Sequence, residues 1–380
     1  MTGRTRLLTI GDRLAAVGGA EIAQLTVVEG LAATGWSVEL LYVSRGDLWP
    51  RWERLATRTR AVAASQLARS HPMTSALGAF TTFGDVLRSH VDVIYVHNPG
   101  DLPVALAAAR PRRVPVVVHL HLPPPIRQPE WLNRCIRHAD AVITPSTDSA
   151  GRWRRAARLD DGRVTVVPTG VDTSRFVPLA DDRRMEQRRL LGVGPDVSLV
   201  LYAGRLDGTK GLDDLIDAMG RLHGAARLAV CGDGSDRSYV DHLHRSAEGL
   251  DVAWLGRRLD VATLMATADL VVLPSRVAET QGMVVTEAMA CATPAVATAV
   301  GGIPEMLADF PDRLTPAGDP AALAAAIDRL VRWRTDHPDL GPASRRWVDA
   351  HLALDRTVEQ VSAVLAAAGR PARPHGGTGR

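Results

Sequence analysis

Short apolar runs, each followed by a longer amphipathic stretch, recur along the whole of this 380-residue chain. Leu7–Gly11 (LLTIG) precedes a helical pattern from about Ala20 to Thr34. Val38–Val43, Asp92–His97, Val114–His121 and Asp140–Ser146 continue the series. A second series opens at Val164–Pro168 and runs through Val197–Gly204, Ala226–Gly232, Asp251–Gly256, Ala268–Ser275 and Thr293–Thr298. The runs are apolar without alternation, as expected of strands in a parallel sheet covered on both faces. Repeated βα units imply α/β architecture with doubly wound sheets. Two series of similar size imply two Rossmann-like domains in tandem, 1–172 and 173–345. The join falls in Pro168–Pro178, where Pro, Gly and Asp interrupt the pattern. A last helical stretch covers about Pro342–Ala368, and GRPARPHGGTGR at the end reads as a disordered tail, 369–380.

Composition narrows the class. Hydrophobic residues at 46% and charged residues at 23% suit a globular chain with a sizeable core. Net charge is only +3 and the arginines are scattered, which argues against nucleic acid as a partner. Three widely spaced cysteines, Cys135, Cys231 and Cys291, fit neither a disulfide framework nor a zinc ribbon. The opening residues show no signal-peptide pattern, and no apolar run reaches the ~18–20 residues of a membrane span. These features point to a cytoplasmic protein, at most peripheral to a membrane.

Two segments carry chemistry. Gly204–Asp214 (GRLDGTKGLDD) holds Lys210, the one lysine among 45 basic residues. A position indifferent to the cation's identity would be arginine here, so Lys210 stands out. In Pro274–Leu307 a strand ends at Ser275, Glu279 lies in the loop, Gly282 opens a helix, and Glu287 sits about a turn and a half into it. Backbone N–H groups near Gly282 and Met283 form a natural anion site at a helix start. An anion site flanked by two carboxylates suits a ligand bearing both phosphate and hydroxyl groups. A nicotinamide dehydrogenase fits less well: after Gly232-Asp233-Gly234 the third glycine is replaced by Arg237, and Gly18-Gly19 lacks the spacing. A pyridoxal-phosphate enzyme would use Lys210 as its Schiff base. A non-catalytic sugar-nucleotide binding or adaptor subunit is a further alternative.

Glu279 and Glu287, with seven residues between them and AMA, TPAVAT and GGIPE downstream, resemble the E-x7-E signature of retaining glycosyltransferases of family 4 (glycosyl transferases group 1), which have the GT-B fold. GGAE at Gly18–Glu21, VVVHLH at Val116–His121, VVPTGVD at Val166–Asp172, YAGRLDGTKGLDDLIDA at Tyr202–Ala218 and CGDGSD at Cys231–Asp236 resemble the family's other motifs in order. The resemblance covers nearly the whole chain. It implies two Rossmann-like domains facing across a cleft, with a C-terminal helix, 346–368, crossing back to the N-terminal domain.

The resemblance also implies roles. Arg205, Lys210, Glu279 and His121 would be catalytic, the two cations holding the diphosphate leaving group. Gly18, Gly19, Gly204, Gly232, Arg257, Arg258, Gly282, Met283, Val284 and Glu287 would bind the donor, Glu287 through the ribose hydroxyls. The co-substrate would be a nucleotide-diphosphate sugar, UDP-sugar first and GDP-mannose next, and transfer would retain configuration by same-face attack. No obligatory metal and no cofactor are expected. The acceptor hydroxyl would meet the N-terminal domain near His97, Asn98 and Asp101. The Trp49–Trp52 segment, with Arg58, Arg60 and Arg69, could touch a membrane if the acceptor is a lipid, although a helix packed on the sheet is the plainer reading. His119, where the family often has a small residue, is either a second cleft histidine or simply a strand residue, the latter the plainer reading. Two departures from the family pattern stand out: Thr169 replaces the asparagine of PNGVD, and Thr280-Gln281 replaces a Pro-Phe pair expected near the donor sugar.

Overall fold

The computed structural model describes residues 5–16, 18–63, 81–125 and 127–369. Arg69 and 370–380 of the expected tail lie outside them. The chain divides into two compact units. The first comprises residues 1–145, 150–167 and 357–380; the second comprises 146–149 and 168–356.

The first unit is built on a seven-stranded sheet. Its strands in chain order are β1 (Arg6–Leu14), β2 (Ser37–Arg45), β3 (Arg58–Ala61), β4 (Val93–Val96), β5 (Val116–His119), β6 (Ala141–Thr144) and β7 (Val164–Val166). The spatial order is β3-β2-β1-β4-β5-β6-β7, and the pairings are parallel. β4 and β5 are buried at every position, which explains their largely apolar sequences.

The second unit repeats the plan with β8 (Ser198–Ala203), β9 (Ala226–Cys231), β10 (Val252–Gly256), β11 (Leu270–Leu273), β12 (Ala295–Thr298) and β13 (Leu314–Thr315), in the order β10-β9-β8-β11-β12-β13. In both sheets the order reverses beside the first strand, the switch point where open α/β sheets bind ligands.

Several expectations are corrected. Val164–Pro168 does not open the second series: β7 pairs with β6, Val142 beside Val164, and so closes the first sheet. A three-residue apolar strand reads the same whichever sheet it joins. β3, written Arg-Thr-Arg-Ala and mostly exposed, lacks the apolar signature because it is an edge strand. Asp181 and Asp182 open the helix Asp181–Leu190. The final stretch is two helices, Leu340–His351 and Leu354–Ala368. The break between them is fixed by a bridge from Ala353 to Val171. From Thr357 onward the last helix belongs to the first unit. There Val358 lies where a Cβ on Gly30 would stand, and Trp36 Nε1 donates to Ser362 Oγ at 3.1 Å.

A buried ion cluster ties the helix Asp181–Leu190 to the second sheet. The Asp269 carboxylate, at the foot of β11, accepts from Arg188 at 2.7 Å, from Arg184, and from the backbone N–H of Leu199 at 2.8 Å. Its carbonyl takes the Trp333 indole N–H at 2.7 Å. Removing the carboxylate would strand two largely buried guanidinium groups. Asp269→Ala should therefore cost roughly 3–5 kcal/mol of stability, read as a lower urea midpoint. A loss under about 1 kcal/mol would show the cluster to be dispensable.

Candidate active site

In the second unit the loop after β8 forms a 3-10 turn, Gly208–Lys210. Asp207 starts it by accepting the Thr209 N–H at 3.0 Å. Gly211 follows with φ of +67°. A Cβ there would stand 2.1 Å from the Pro274 carbonyl oxygen, so only glycine lets this loop lie against the end of β11. That contact delivers Lys210 Nζ to Glu279 Oε1 at 2.6 Å. Ser275 Oγ donates to the same carboxylate oxygen at 2.5 Å. Both members of the pair are about one-fifth exposed. The turn is further secured by Arg276, whose N–H donates to the Thr209 carbonyl at 2.9 Å and whose guanidinium grips Asp214 at 2.8 and 2.6 Å and also Asp213.

Glu279 is seated by backbone. Gly301 has φ of +60°, and a Cβ on it would be 2.0 Å from the Glu279 carbonyl oxygen. The Gly302 N–H donates to that oxygen at 2.8 Å. The two glycines of GGIPE therefore act as a cradle for the Glu279–Thr280 backbone. Gly282, at φ of +81°, turns the chain into the helix Met283–Ala290. The first N–H groups of that helix, at Met283 and Val284, have no intrahelical acceptor. Glu287 is half-buried. Desolvation raises its carboxyl to about 7, against a downward pull from Arg175.

The remaining donor-side candidates divide. Arg205 is largely exposed and pairs with Asp207 at 3.2 Å, not with Glu279. Arg258, beyond β10, is held in a fork by Asp260 at 2.8 and 2.7 Å, and Arg257 beside it is exposed. Gly204 and Gly232 have a packing role: a Cβ on Gly232 would fall 1.8 Å from the Gly204 carbonyl oxygen. Their N–H groups go to the carbonyls of Cys231 and Gly256, both at backbone hydrogen-bond distance.

The Gln281 side chain does not line an open sugar site. It is buried, with its oxygen accepting the Thr169 N–H at 2.6 Å and its nitrogen donating to the Thr169 carbonyl at 2.8 Å. Ser146 Oγ donates to the Thr280 carbonyl at 2.5 Å. The two departures from the family pattern, at Thr169 and Gln281, thus bond to each other. Arg276 and the inward turn of Gln281 act through partners distant along the chain, whereas Ser275 acts on Glu279 only four residues away.

The first unit holds a pocket of about 630 Å³ at the carboxyl ends of its central strands. His97, Asn98, Asp101 and His121 line it together with Trp52 and Trp153. Gly18 and Gly19 begin the helix Gly19–Ala33 beside it. Gly18 is extended, and a Cβ there would meet only Glu21 at 3.5 Å, so the backbone does not demand glycine. Asn98 accepts the Gly100 N–H at 2.9 Å. Trp52 is buried, and Arg51 pairs with Glu29 at 2.5 Å, which holds the Trp49–Leu55 helix against the helix Gly19–Ala33. Among the described residues no helix is long and apolar enough to cross a membrane.

His119 is more than a strand residue. His97 Nδ1 lies 2.9 Å from His121 Nε2, Tyr95 Oη lies 2.7 Å from His119 Nδ1, and the His119 and His121 rings stack at 3.9 Å. Burial pushes His121 down to about 4. Burial, then the neighbouring histidines, holds His97 and His119 well below the ordinary imidazole range.

Parallel sheets wound in this order, with chemistry at the strand ends of each, define a GT-B-type glycosyltransferase fold. The model of the group 1 glycosyl transferases matches residues 198–332, and that of glycosyltransferase family 4 matches residues 17–175. A D-inositol 3-phosphate glycosyltransferase of Frankia alni is 32% identical over 84% of this chain and 88% of its own. The chain therefore belongs to glycosyltransferase family 4. A relative of the same description from Mycobacterium bovis is 36% identical over 52% of this chain, the match spanning 42% of that protein. Among solved structures, Anabaena HepE in complex with UDP superposes with a TM-score of 0.83 at 23% identity, over 96% of this chain and 100% of that one. Sucrose-phosphate synthase of Thermosynechococcus elongatus follows the same fold, with a TM-score of 0.79 at 22% identity, over 96% and 99%.

The histidines set an acid limit on stability. Their folded pKa values lie below the unfolded value near 6.5, so the unfolded chain binds more protons as pH falls from about 6.5 toward 4, and stability drops across that window. Replacing His119 with asparagine should flatten the fall in melting temperature between about pH 6.5 and 4.5. An unchanged slope would mean that carboxylates elsewhere account for the acid loss.

Proposed function

We propose that this glycosyltransferase moves a hexosyl unit from a nucleotide-diphosphate sugar to a hydroxyl acceptor with retention, by same-face attack. The observation that carries the reading is the Lys210–Glu279 contact at 2.6 Å, which joins two motif residues 69 positions apart. Breaking a sugar–phosphate bond places negative charge on the departing diphosphate, and preorganised cations and N–H dipoles stabilise it. Lys210 supplies a compact charge already aimed by Glu279 and Ser275. Arg205 is mobile enough at the surface to leave Asp207 and grip oxygens in a fork. The N–H groups at Met283 and Val284 face the same anion. With the charge met in this way, the donor side needs no metal, and nucleotide release should be indifferent to EDTA. UDP-sugars are the first donors to try, since HepE was solved with UDP, and GDP-mannose is next.

The pocket of the first unit is proposed to take the acceptor. Its size suits a small polyhydroxy compound. Its described lining has Asp12, Glu21 and Asp101 against Arg13 as the one cation. That balance favours neutral or amine-bearing hydroxyl compounds over the phosphorylated inositol named for the relatives.

Nucleotide release from UDP-glucose should fall roughly 10²–10³-fold in Lys210→Ala. Arg245→Ala, exposed on the helix Arg237–Ser246, should match wild type. Equal rates in the two variants would remove Lys210 from the mechanism. The anomeric configuration of the product, read by proton NMR, decides retention.

Glu287 gives a pH signature. Only its ionised form accepts from both ribose hydroxyls, and burial holds its carboxyl at about 7. UDP affinity should therefore rise up to roughly tenfold per pH unit below about 7 and level off above it. Glu287→Gln should abolish that dependence. A flat profile in the wild type would mean that ribose is bound elsewhere.

A further inference from the structure

β4 and β5 run parallel with Tyr95 beside Val117 and Val96 beside Val118. One step further, the same register sets His97 beside His119. Side chains alternate along a strand, so Tyr95, His97, His119 and His121 all project from one face. A His-x-His pair at the end of β5 and a third histidine just beyond β4 thereby converge. One ring nitrogen from each of the three lies within 4.8 Å of the other two. His119 is wholly buried, and both its Nε2 and that of His97 lack a hydrogen-bond partner among the described residues. Two buried imidazole nitrogens without partners are costly in an apolar interior and call for a ligand.

We infer that His97, His119 and His121 form a binding site for one divalent transition-metal ion of the zinc type. Imidazole nitrogen is the donor such ions prefer, whereas magnesium and calcium select oxygen. Ligand nitrogens around zinc stand ~3.3 Å apart when Zn–N bonds are about 2.0–2.1 Å, and one nitrogen of each of the three rings already lies within 4.8 Å of the other two. Tyr95 supplies the outer support. When His119 donates Nδ1–H to the tyrosine oxygen, its lone pair rests on Nε2, and the ring is held in one orientation. His97 and His121 also line the 630 Å³ pocket. The ion's remaining coordination positions open on that pocket and can take a hydroxyl or amine of a bound small molecule. This site belongs to the first unit, separate in the chain from Arg205, Lys210 and Glu279, and does not depend on the proposed transfer reaction.

The test uses tag-free, chelator-treated full-length protein titrated with Co²⁺ and Zn²⁺. One ion per chain is expected, with the visible absorption of low-coordinate Co²⁺, and X-ray absorption of the zinc-loaded protein should show three imidazole nitrogens at about 2.0–2.1 Å. His97→Asn and His119→Asn should each abolish the Co²⁺ absorption. Tyr95→Phe should weaken binding by about 10–100-fold. His90→Ala, at an exposed position of the same unit, should bind as wild type. No stoichiometric binding by the wild type, or fewer than three imidazoles in its absorption spectrum, would overturn the site. So would undiminished binding by a folded His97→Asn variant. The spectrum of the wild type decides the matter even if a histidine variant does not fold.

Discussion

Close backbone packing at a few glycines governs the chemistry of the second unit. Gly211 against Pro274 and Gly301 against Glu279 are separations at which any Cβ would overlap a carbonyl oxygen. Both residues also hold positive φ, which L side chains rarely adopt. The first contact sets the Lys210 turn on the end of β11, and the second fixes the loop that carries Glu279. Their side chains can then meet at 2.6 Å with Ser275 on the same oxygen. Backbone packing thereby fixes where the two side chains meet.

Around that pair the neighbouring charges are assigned partners that keep the geometry single. Arg276 could compete for Glu279, but Asp213 and Asp214 hold it. Arg258 is occupied by Asp260, and Arg205 has only the weaker contact to Asp207. Glu287 differs from all of these. Its side chain is half-buried and makes no hydrogen bond among the described residues, and burial raises its carboxyl to about 7. In the first unit the stacked rings of His97 and His121 line the pocket.

The fold was largely legible because parallel strands advertise themselves: Val93–Val96, Val116–His119 and Leu270–Leu273 are apolar on both faces. Strands that lie at edges carry little of this signature. Arg58–Ala61 is exposed and charged, Leu314–Thr315 is two residues long, and Val164–Val166 could have belonged to either sheet. Hydrophobic periodicity reports burial, and an edge strand is only partly buried.

The sequence by itself determined the class of protein, the βα series and the residues at the ends of the strands, since these depend on local pattern and on motif spacing. Lys210, Glu279 and Glu287 could be singled out from composition and spacing alone. Tertiary structure decided what those residues touch. It joined Lys210 to Glu279, turned Gln281 inward onto Thr169, tied Arg258 to Asp260, and set His119 among three other rings through the β4–β5 register. Each of these contacts links positions whose approach depends on sheet register or backbone packing. A linear pattern carries no measure of either, and distances in space exist only once the chain has folded.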